Sequence, residues 1–99
     1  MVKEIISKLN KSFENRVRLG IMSVLMVNEW ADFNHLKDLL DATDGNLAGH
    51  LTAFEKNGYI EVTKTFVGRK PNTRYSATDE GKRAFKEHLE NLGKLIQEQ

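Results

Sequence analysis

The chain has 99 residues, 39% of them hydrophobic, and a formal net charge of +1 at pH 7, which suits one small domain near the lower size limit for folding without covalent staples. The absence of cysteine excludes a disulfide framework, a thiolate metal site and a cysteine nucleophile. Stretches that lack a charge, such as residues 19 to 28, reach only about half the length of a membrane span, and no leader pattern opens the chain, so we expect a cytoplasmic protein with no membrane partner.

The chain opens with apolar residues at helical spacing, which predict an N-terminal helix over residues 1 to 13. These residues are Ile5, Ile6, Leu9 and Phe13. We interpret this stripe as a surface that packs on a partner element. A second helix continues or restarts at Glu14 and ends near Asn28. Its apolar residues cover a wide face of the helix, so we expect it to be buried at the centre of the domain.

A short strand near Trp30 and Ala31 and then two closely spaced helices are predicted next. Asn34 suits the N-cap of the first of these helices, and Thr43 or Asp44 suits the N-cap of the second. Two helices joined by so few residues, here over residues 34 to 57, are typical of a helix-turn-helix.

The second of these helices is amphipathic. Leu47, Leu51 and Phe54 share one face, while the opposite face is poor in bulk and could lie close against another surface. The sequence Asn57-Gly58 closes the helix, because glycine accepts the left-handed conformation at a helix C-terminus.

Alternating residues over 59 to 77 predict a β-hairpin, with strands on either side of a turn over residues 67 to 72. The segment from residue 64 to residue 74, which includes the turn, holds four cations and no acid: Lys64, Arg69, Lys70 and Arg74. Residues 43 to 77 as a whole carry five bases and three acids, so the local charge is positive although the chain is nearly neutral. Tyr75 is expected in the core.

A last helix is predicted over residues 78 to 97, with Thr78 as its N-cap and two acids in its first turn. Apolar residues at steps of four, three and four suggest association with another helix: Phe85, Leu89, Leu92 and Ile96.

This order of elements, with the segment Thr-Asp-Gly-Asn-Leu-Ala-Gly-His-Leu starting at Thr43, resembles the winged helix-turn-helix transcriptional regulators, in particular the small MarR-like and ArsR-like single-domain repressors. The resemblance covers residues 16 to 97. It implies an α+β, mostly helical winged-helix domain spanning residues 1 to 99, with dimerisation helices at both ends. It also implies a homodimer that binds double-stranded DNA at a pseudo-palindromic operator and represses transcription.

The resemblance assigns the helix that starts at Thr43 to the major groove and the hairpin, or wing, to phosphates or the minor groove. The candidate contacts on the helix are Thr43, Gly45, Asn46, Gly49, His50, Thr52 and Lys56, and those on the wing are the four cations above. Asn46 suits an adenine edge because its amide both donates and accepts. Many related repressors carry Arg or Lys where this chain has Gly49, so shape and phosphate contacts are expected to contribute more here. His50 suits either a phosphate contact or a structural position at the edge of the core.

Two other functional classes stay open. One is a winged-helix protein-interaction module without DNA, which the near-neutral charge favours. The other is a sensor of the same fold that binds a small effector. No residue pattern in the sequence indicates a site for such an effector. Some ArsR-like sensors bind zinc, but His35, His50 and His88 lie on three different predicted elements, so we expect no metal or other cofactor. No nucleophile motif, phosphate-binding glycine loop or carboxylate pair indicates an enzyme.

Overall fold

The computed structural model describes residues 1 to 97 and contains five helices and a three-stranded sheet. The elements are α1 (Val2–Lys8), a 3-10 turn (Lys11–Phe13), α2 (Arg16–Val27), β1 (Ala31–Asp32), α3 (Phe33–Leu40), α4 (Asp44–Lys56), β2 (Ile60–Val67), β3 (Lys70–Ala77) and α5 (Asp79–Gln97). The antiparallel sheet has the order β1-β3-β2, so the hairpin of β2 and β3, which we call the wing, is joined to the helical part through β1. The α+β, mostly helical winged-helix architecture is thus confirmed.

The N-terminal helix is shorter than predicted. It ends at Lys8, and Leu9 is extended, because Asn10 caps the 3-10 turn by accepting the Ser12 N–H at 2.9 Å. A second asparagine, Asn15, accepts the backbone N–H groups that open α2. Asparagine side chains that bond nearby backbone groups compete with the helix, so two of them interrupt a stretch whose apolar spacing alone suggested continuity.

The centre of the core is aromatic and includes residues expected on an outer surface. Phe13 is 2% exposed, and its ring lies 5.1 Å from that of Phe85, 5.8 Å from Phe54 and 5.5 Å from Tyr59, measured between centroids. The 3-10 turn therefore carries a core side chain that joins α4, α5 and Tyr59, which lies just before β2. Stacked and edge-on aromatic pairs of this kind add to the free energy of burial.

Two junctions set how closely the elements pack. The Thr78 hydroxyl donates to the Gly58 carbonyl at 2.6 Å and accepts the Gly81 N–H at 2.9 Å, which confirms it as the cap of α5. A Cβ on Gly81 would collide with the carbonyl oxygen of Tyr59, so only glycine lets α5 start against the base of β2. The C-terminal glycine of α4, Gly58, has the predicted positive φ of 76°.

The remaining boundaries agree with the predictions to within one or two residues, apart from the wing turn. The strand at residues 31 and 32 is present, and Tyr75 is buried as expected. Asp32 rather than Asn34 caps α3, by accepting the His35 N–H at 2.8 Å. The wing turn contains only Gly68 and Arg69, because Lys70 already pairs with Val67.

Candidate nucleic-acid interface

The outward face of α4 is exposed and nearly flat. Leu47, Leu51 and Phe54 are at most 2% exposed beneath it. The predicted helix contacts on the far side are all exposed, and they are Thr43, Gly45, Asn46, Gly49, Thr52 and Lys56. A Cβ added to Gly45 or Gly49 would meet no atom within 4 Å. Because no side chain projects at these two glycines, the backbone of the helix can come close to a second surface.

The start of α4 is well capped and tied to α3. The Thr43 hydroxyl accepts the Asn46 N–H at 3.2 Å, which confirms Thr43 as the cap. The Asp44 carboxylate lies 2.9 Å from the Lys37 ammonium, and this contact raises the pKa of Lys37. Both groups are solvated, so the pair orients the turn more than it stabilises it.

One flank of the α4 face is bordered by the wing. Lys64 lies on the side of the sheet that faces α4 and lines a groove of about 200 Å³ together with Thr52, Glu55 and Thr73. At the tip, Gly68 has a φ of 64°, as the first residue of a tight two-residue hairpin turn requires. Arg69 and Lys70 are exposed beside it. Three of the four predicted wing cations are therefore exposed.

The fourth wing cation, Arg74, lies elsewhere. It is half-buried on the opposite side of the sheet, with its guanidinium carbon 3.8 Å above the Trp30 ring, and its Nε donates to Asn72 at 3.2 Å. Asn72 in turn donates to the Asp32 carboxylate at 3.3 Å. Because alternate residues of a strand face opposite ways, Arg74 and Lys64 cannot share a face across their paired strands.

This chain of contacts joins the wing to the helix-turn-helix. Asp32 caps α3 as well as accepting from Asn72, and the backbone hydrogen bond from His35 is the main reason that the pKa of Asp32 lies below its usual value. The structure thus gives Arg74 contacts that hold the base of the wing. Sequence reasoning missed Trp30 and Asp32 as its neighbours because only strand pairing brings them together.

The other flank of the α4 face is bordered by the start of α2. His50 is half-buried there, and its Nδ1 accepts a hydrogen bond from Nε of Arg18 at 2.8 Å. Burial and the charge of Arg18 lower the pKa of His50. Of the two roles considered for His50, this contact supplies a structural one. Arg18 was not singled out from the sequence, because it lies 32 residues away and nothing in its local pattern points to α4.

The residues assigned to dimerisation fall into two groups. Ile5, Phe13 and Phe85 are buried within the chain, so the assignment of these three to an intermolecular surface is corrected, since the chain's own helices cover them. Ile6, Leu89 and Ile96 are 53%, 45% and 80% exposed, and Leu9 and Leu92 are half-buried. The exposed members of the stripe leave an apolar surface along α1 and α5.

Residues 1 to 97 contain neither a cluster of potential metal ligands nor a helix that could span a membrane. No group of three or more potential metal ligands lies together in this range, and the three histidines lie on α3, α4 and α5. His88 is 3% exposed, and its Nδ1 accepts the Asn10 N–H at 3.0 Å. No helix of the described range is long and apolar enough to cross a membrane.

Known proteins resemble this chain over most of its length. A family described as "Winged helix DNA-binding domain" matches residues 17–96. The uncharacterized protein MJ0432 of Methanocaldococcus jannaschii is 35% identical over 85 residues, covering 86% of this chain and 92% of that protein. A transcriptional regulator homologue protein from Pyrococcus horikoshii OT3 is also 35% identical, with a TM-score of 0.85 over 97% of this chain and 93% of that chain.

A more distant structure resembles it in fold alone. Sco3205, a MarR family transcriptional regulator from Streptomyces coelicolor solved in complex with DNA, has a TM-score of 0.67 at 15% identity. The alignment covers 98% of this chain and 67% of that one.

Proposed function

This chain belongs to the winged helix DNA-binding domain family, and on that basis we propose that it is a regulator that binds double-stranded DNA as a homodimer and represses transcription from a pseudo-palindromic operator. The observation that carries the proposal is the flat outward face of α4 beside an exposed Lys64. A helix that presents glycine and short polar side chains fits a major groove, and cations at its edge suit the phosphates that border the groove.

Sequence readout is assigned to the polar residues of α4. Asn46 is exposed near the start of the helix, where its amide can pair with an adenine edge, while Thr52 and Lys56 lie further along the same side. Gly45 and Gly49 read no base but permit close approach. Arg69 and Lys70 at the wing tip contact the phosphates of the DNA backbone, and their contribution to affinity does not depend on the DNA sequence.

The first test is a fluorescence-anisotropy titration at several salt concentrations, with a random duplex and with the DNA upstream of the chain's own coding region. We expect tighter binding to the upstream DNA and a steep loss of affinity with salt, by about a thousandfold to a hundred-thousandfold between 50 and 200 mM if the dimer contacts six to ten phosphates. Lys64→Gln combined with Lys70→Gln should lower the salt slope by about one unit for each phosphate that the variant no longer neutralises.

The matched control is Lys86→Gln combined with Lys94→Gln, which removes the same charge from the exposed surface of α5. It should leave the salt slope unchanged. If the wild-type chain binds no duplex even at low salt, the DNA proposal is wrong and the protein-interaction class becomes the preferred one.

An open groove favours a second candidate function, that of an effector-responsive regulator. About 520 Å³ of space lies between the 3-10 turn, the start of α2 and α5, with Leu9, Leu19 and Leu92 among its apolar walls, and with Arg16 and Glu14 both at its edge. The apolar walls suit the ring of a small aromatic carboxylate, whose charge Arg16 would have to bind against the opposing charge of Glu14. Benzoate that raises the melting temperature while it weakens DNA binding would support this role, whereas a change in neither quantity would count against it.

A further inference from the structure

The two flanks of the α4 face differ in what borders them. Lys64 and the wing border the side of Thr52 and Glu55. On the other side, one helical stripe of α4 runs through Asn46, His50 and Ala53, because residues three and four apart lie above one another. The start of α2 lies against this second stripe, and the contact between Arg18 and His50 is where they meet.

The backbone of Arg18 is held firmly. Arg18 lies in the first turn of α2, where the Asn15 side chain accepts its N–H at 3.1 Å and that of Val17 at 2.9 Å. Its guanidinium carbon lies 5.7 Å from the centroid of the Phe54 ring, so the charged group itself lies at the edge of the core, beside α4. The position of the charge is therefore determined by packing.

The terminal nitrogens of Arg18 have no hydrogen-bond partner among the described residues. Within residues 1 to 97, its side chain makes one hydrogen bond, from Nε to His50, and Lys37 with Asp44 is the sole salt bridge. A guanidinium carries five N–H donors, of which Nε supplies one, so four remain on the two terminal nitrogens. A permanent charge with a fork of free donors at a helix surface is suited to a phosphate.

His50 determines which way that fork points. Arginine does not lose its proton, so the hydrogen bond needs a histidine whose Nδ1 is bare and whose proton is on Nε2. Burial and the charge of Arg18 lower the pKa of His50, which favours the neutral form that the contact requires. His50 is thus a positioning residue for Arg18, and its Nε2–H remains a donor on the same flank.

We propose that Arg18 is a backbone contact for DNA, gripping a phosphate along the edge of the α4 face opposite the wing, with His50 holding its guanidinium in place. The inference rests on the proposed function. A helix inserted into a major groove has a sugar-phosphate backbone on each side, and the wing cations can contact only one of the two. Arg18 supplies charge on the second side, so the helix is held from both.

The test measures DNA affinity against salt for Arg18→Gln and Arg18→Met, the second of which keeps an unbranched stem. Both should lower the salt slope of each subunit by about one unit and weaken binding about tenfold at moderate salt. Arg18→Lys should keep the slope and weaken binding about threefold, because lysine keeps the charge but lacks the fork and the Nε donor. Arg83→Gln on α5 is the control and should change neither quantity.

Variants of His50 test the positioning role. His50→Leu removes the acceptor and should weaken binding while leaving the salt slope nearly intact, and His50→Gln, whose amide oxygen can accept from Nε, should restore most of the affinity. Thermal melts establish that each variant is folded. An effect of His50→Leu that His50→Gln fails to rescue would refute the positioning role.

The outcomes separate the inference from the function on which it rests. If Lys64→Gln lowers the salt slope and a folded Arg18→Gln or Arg18→Met does not, the Arg18 contact is refuted and the DNA-binding proposal stands. If the wild-type chain binds no DNA, both are refuted. A lowered slope in the Arg18 variants, with Arg83→Gln unchanged, establishes the contact.

Discussion

At the scale of single residues, the buried His88 and the half-buried His50 are polar groups whose hydrogen bonds require the neutral form. His50 accepts from Arg18 and His88 accepts from the backbone of Asn10, in both cases at Nδ1. Burial is the main cause that lowers the pKa of each; the charge of Arg18 adds to it at His50, and the nearby Glu14 opposes it at His88. Protonation would turn each acceptor into a donor that faces another donor.

A pH dependence of stability follows from these shifts. Below about pH 6.5 the unfolded chain takes up protons on both histidines, whereas the folded chain resists until the pH reaches the lowered pKa values. The unfolded state therefore binds more protons in this window, and the free energy of unfolding should fall as the pH is lowered from about 7.5 to about 5.5. Urea denaturation at a series of pH values measures it.

His88→Gln is the informative control for that experiment, because glutamine can still accept from Asn10 but does not titrate. The variant should lose part of the pH dependence between about 5.5 and 7.5. An identical dependence in the variant and the wild-type chain would contradict the role given to His88.

At the scale of elements, α4 shows a compromise between helix stability and exposure of a flat face. Its outward side carries Gly45 and Gly49, each with open space where a Cβ would lie, although glycine inside a helix costs about 0.5–1 kcal/mol relative to alanine. No contact within residues 1 to 97 requires glycine at either position. We interpret Gly49 as a position where an approaching surface needs the room.

Gly49→Ala should therefore separate stability from binding. The free energy of unfolding should rise by roughly 0.5–1 kcal/mol, which raises the melting temperature of a domain this size by a few degrees. DNA affinity should fall severalfold, because the added methyl group holds the helix away from the groove. Calorimetry and anisotropy titration measure the two effects.

Gly93→Ala provides a matched control, since Gly93 is also exposed in a helix, with open space at its Cβ, but lies on α5. It should raise stability similarly. Because Gly93 shares a face of α5 with Leu89 and Ile96, light scattering first establishes that the variant is still a dimer, and its DNA affinity should then be unchanged. Should Gly49→Ala bind DNA as tightly as Gly93→Ala does, the close-approach interpretation of α4 is wrong.

The wing shows, at the same scale, that the positions of charged residues in the sequence do not determine which side of a sheet each of them faces. Four cations in the sequence suggested one basic surface, but the strand register turns Arg74 to the side of the sheet opposite Lys64. Stacking on Trp30 and the link through Asn72 to Asp32 then place Arg74 in the junction with α3. A cation–π contact of this kind contributes on the order of 1 kcal/mol, enough to orient a hairpin.

At the scale of the whole molecule, α1 and α5 extend a chain whose principal dimensions are 55 × 25 × 22 Å. The exposed apolar side chains Ile6, Leu89 and Ile96 lie along these two helices. We propose that they form the interface of the homodimer. Two-fold symmetry would then place the two α4 helices in successive major grooves, about 34 Å apart.

Leu89→Lys combined with Ile96→Lys tests that assembly. Both side chains are exposed, so the substitutions should leave the fold intact, but two buried charges on each side of an interface should convert the dimer into a monomer. Light scattering coupled to gel filtration measures the mass, and the affinity for a palindromic site should fall by at least tenfold. A double variant that remains a dimer would show that the interface lies elsewhere.

Several features followed from the sequence alone because their causes are local. Apolar spacing gave the buried face of α4, Thr43 and Thr78 marked helix starts, and Gly58 marked a helix end. Helical periodicity, capping and positive φ each depend on residues within a turn or two, so the order of elements and the winged-helix class could be predicted.

Only the tertiary structure decided which of those residues face solvent and which meet across the chain. Helical spacing does not distinguish an apolar stripe that packs within the chain from one that packs against a second subunit. Phe13 and Phe85 were therefore assigned to the dimer interface, although their rings pack together in the core. The pairing of Arg18 with His50, and the placing of Arg74 on Trp30, join residues that are 32 and 44 positions apart. Such contacts depend on the register of strands and the crossing of helices, which no local pattern contains.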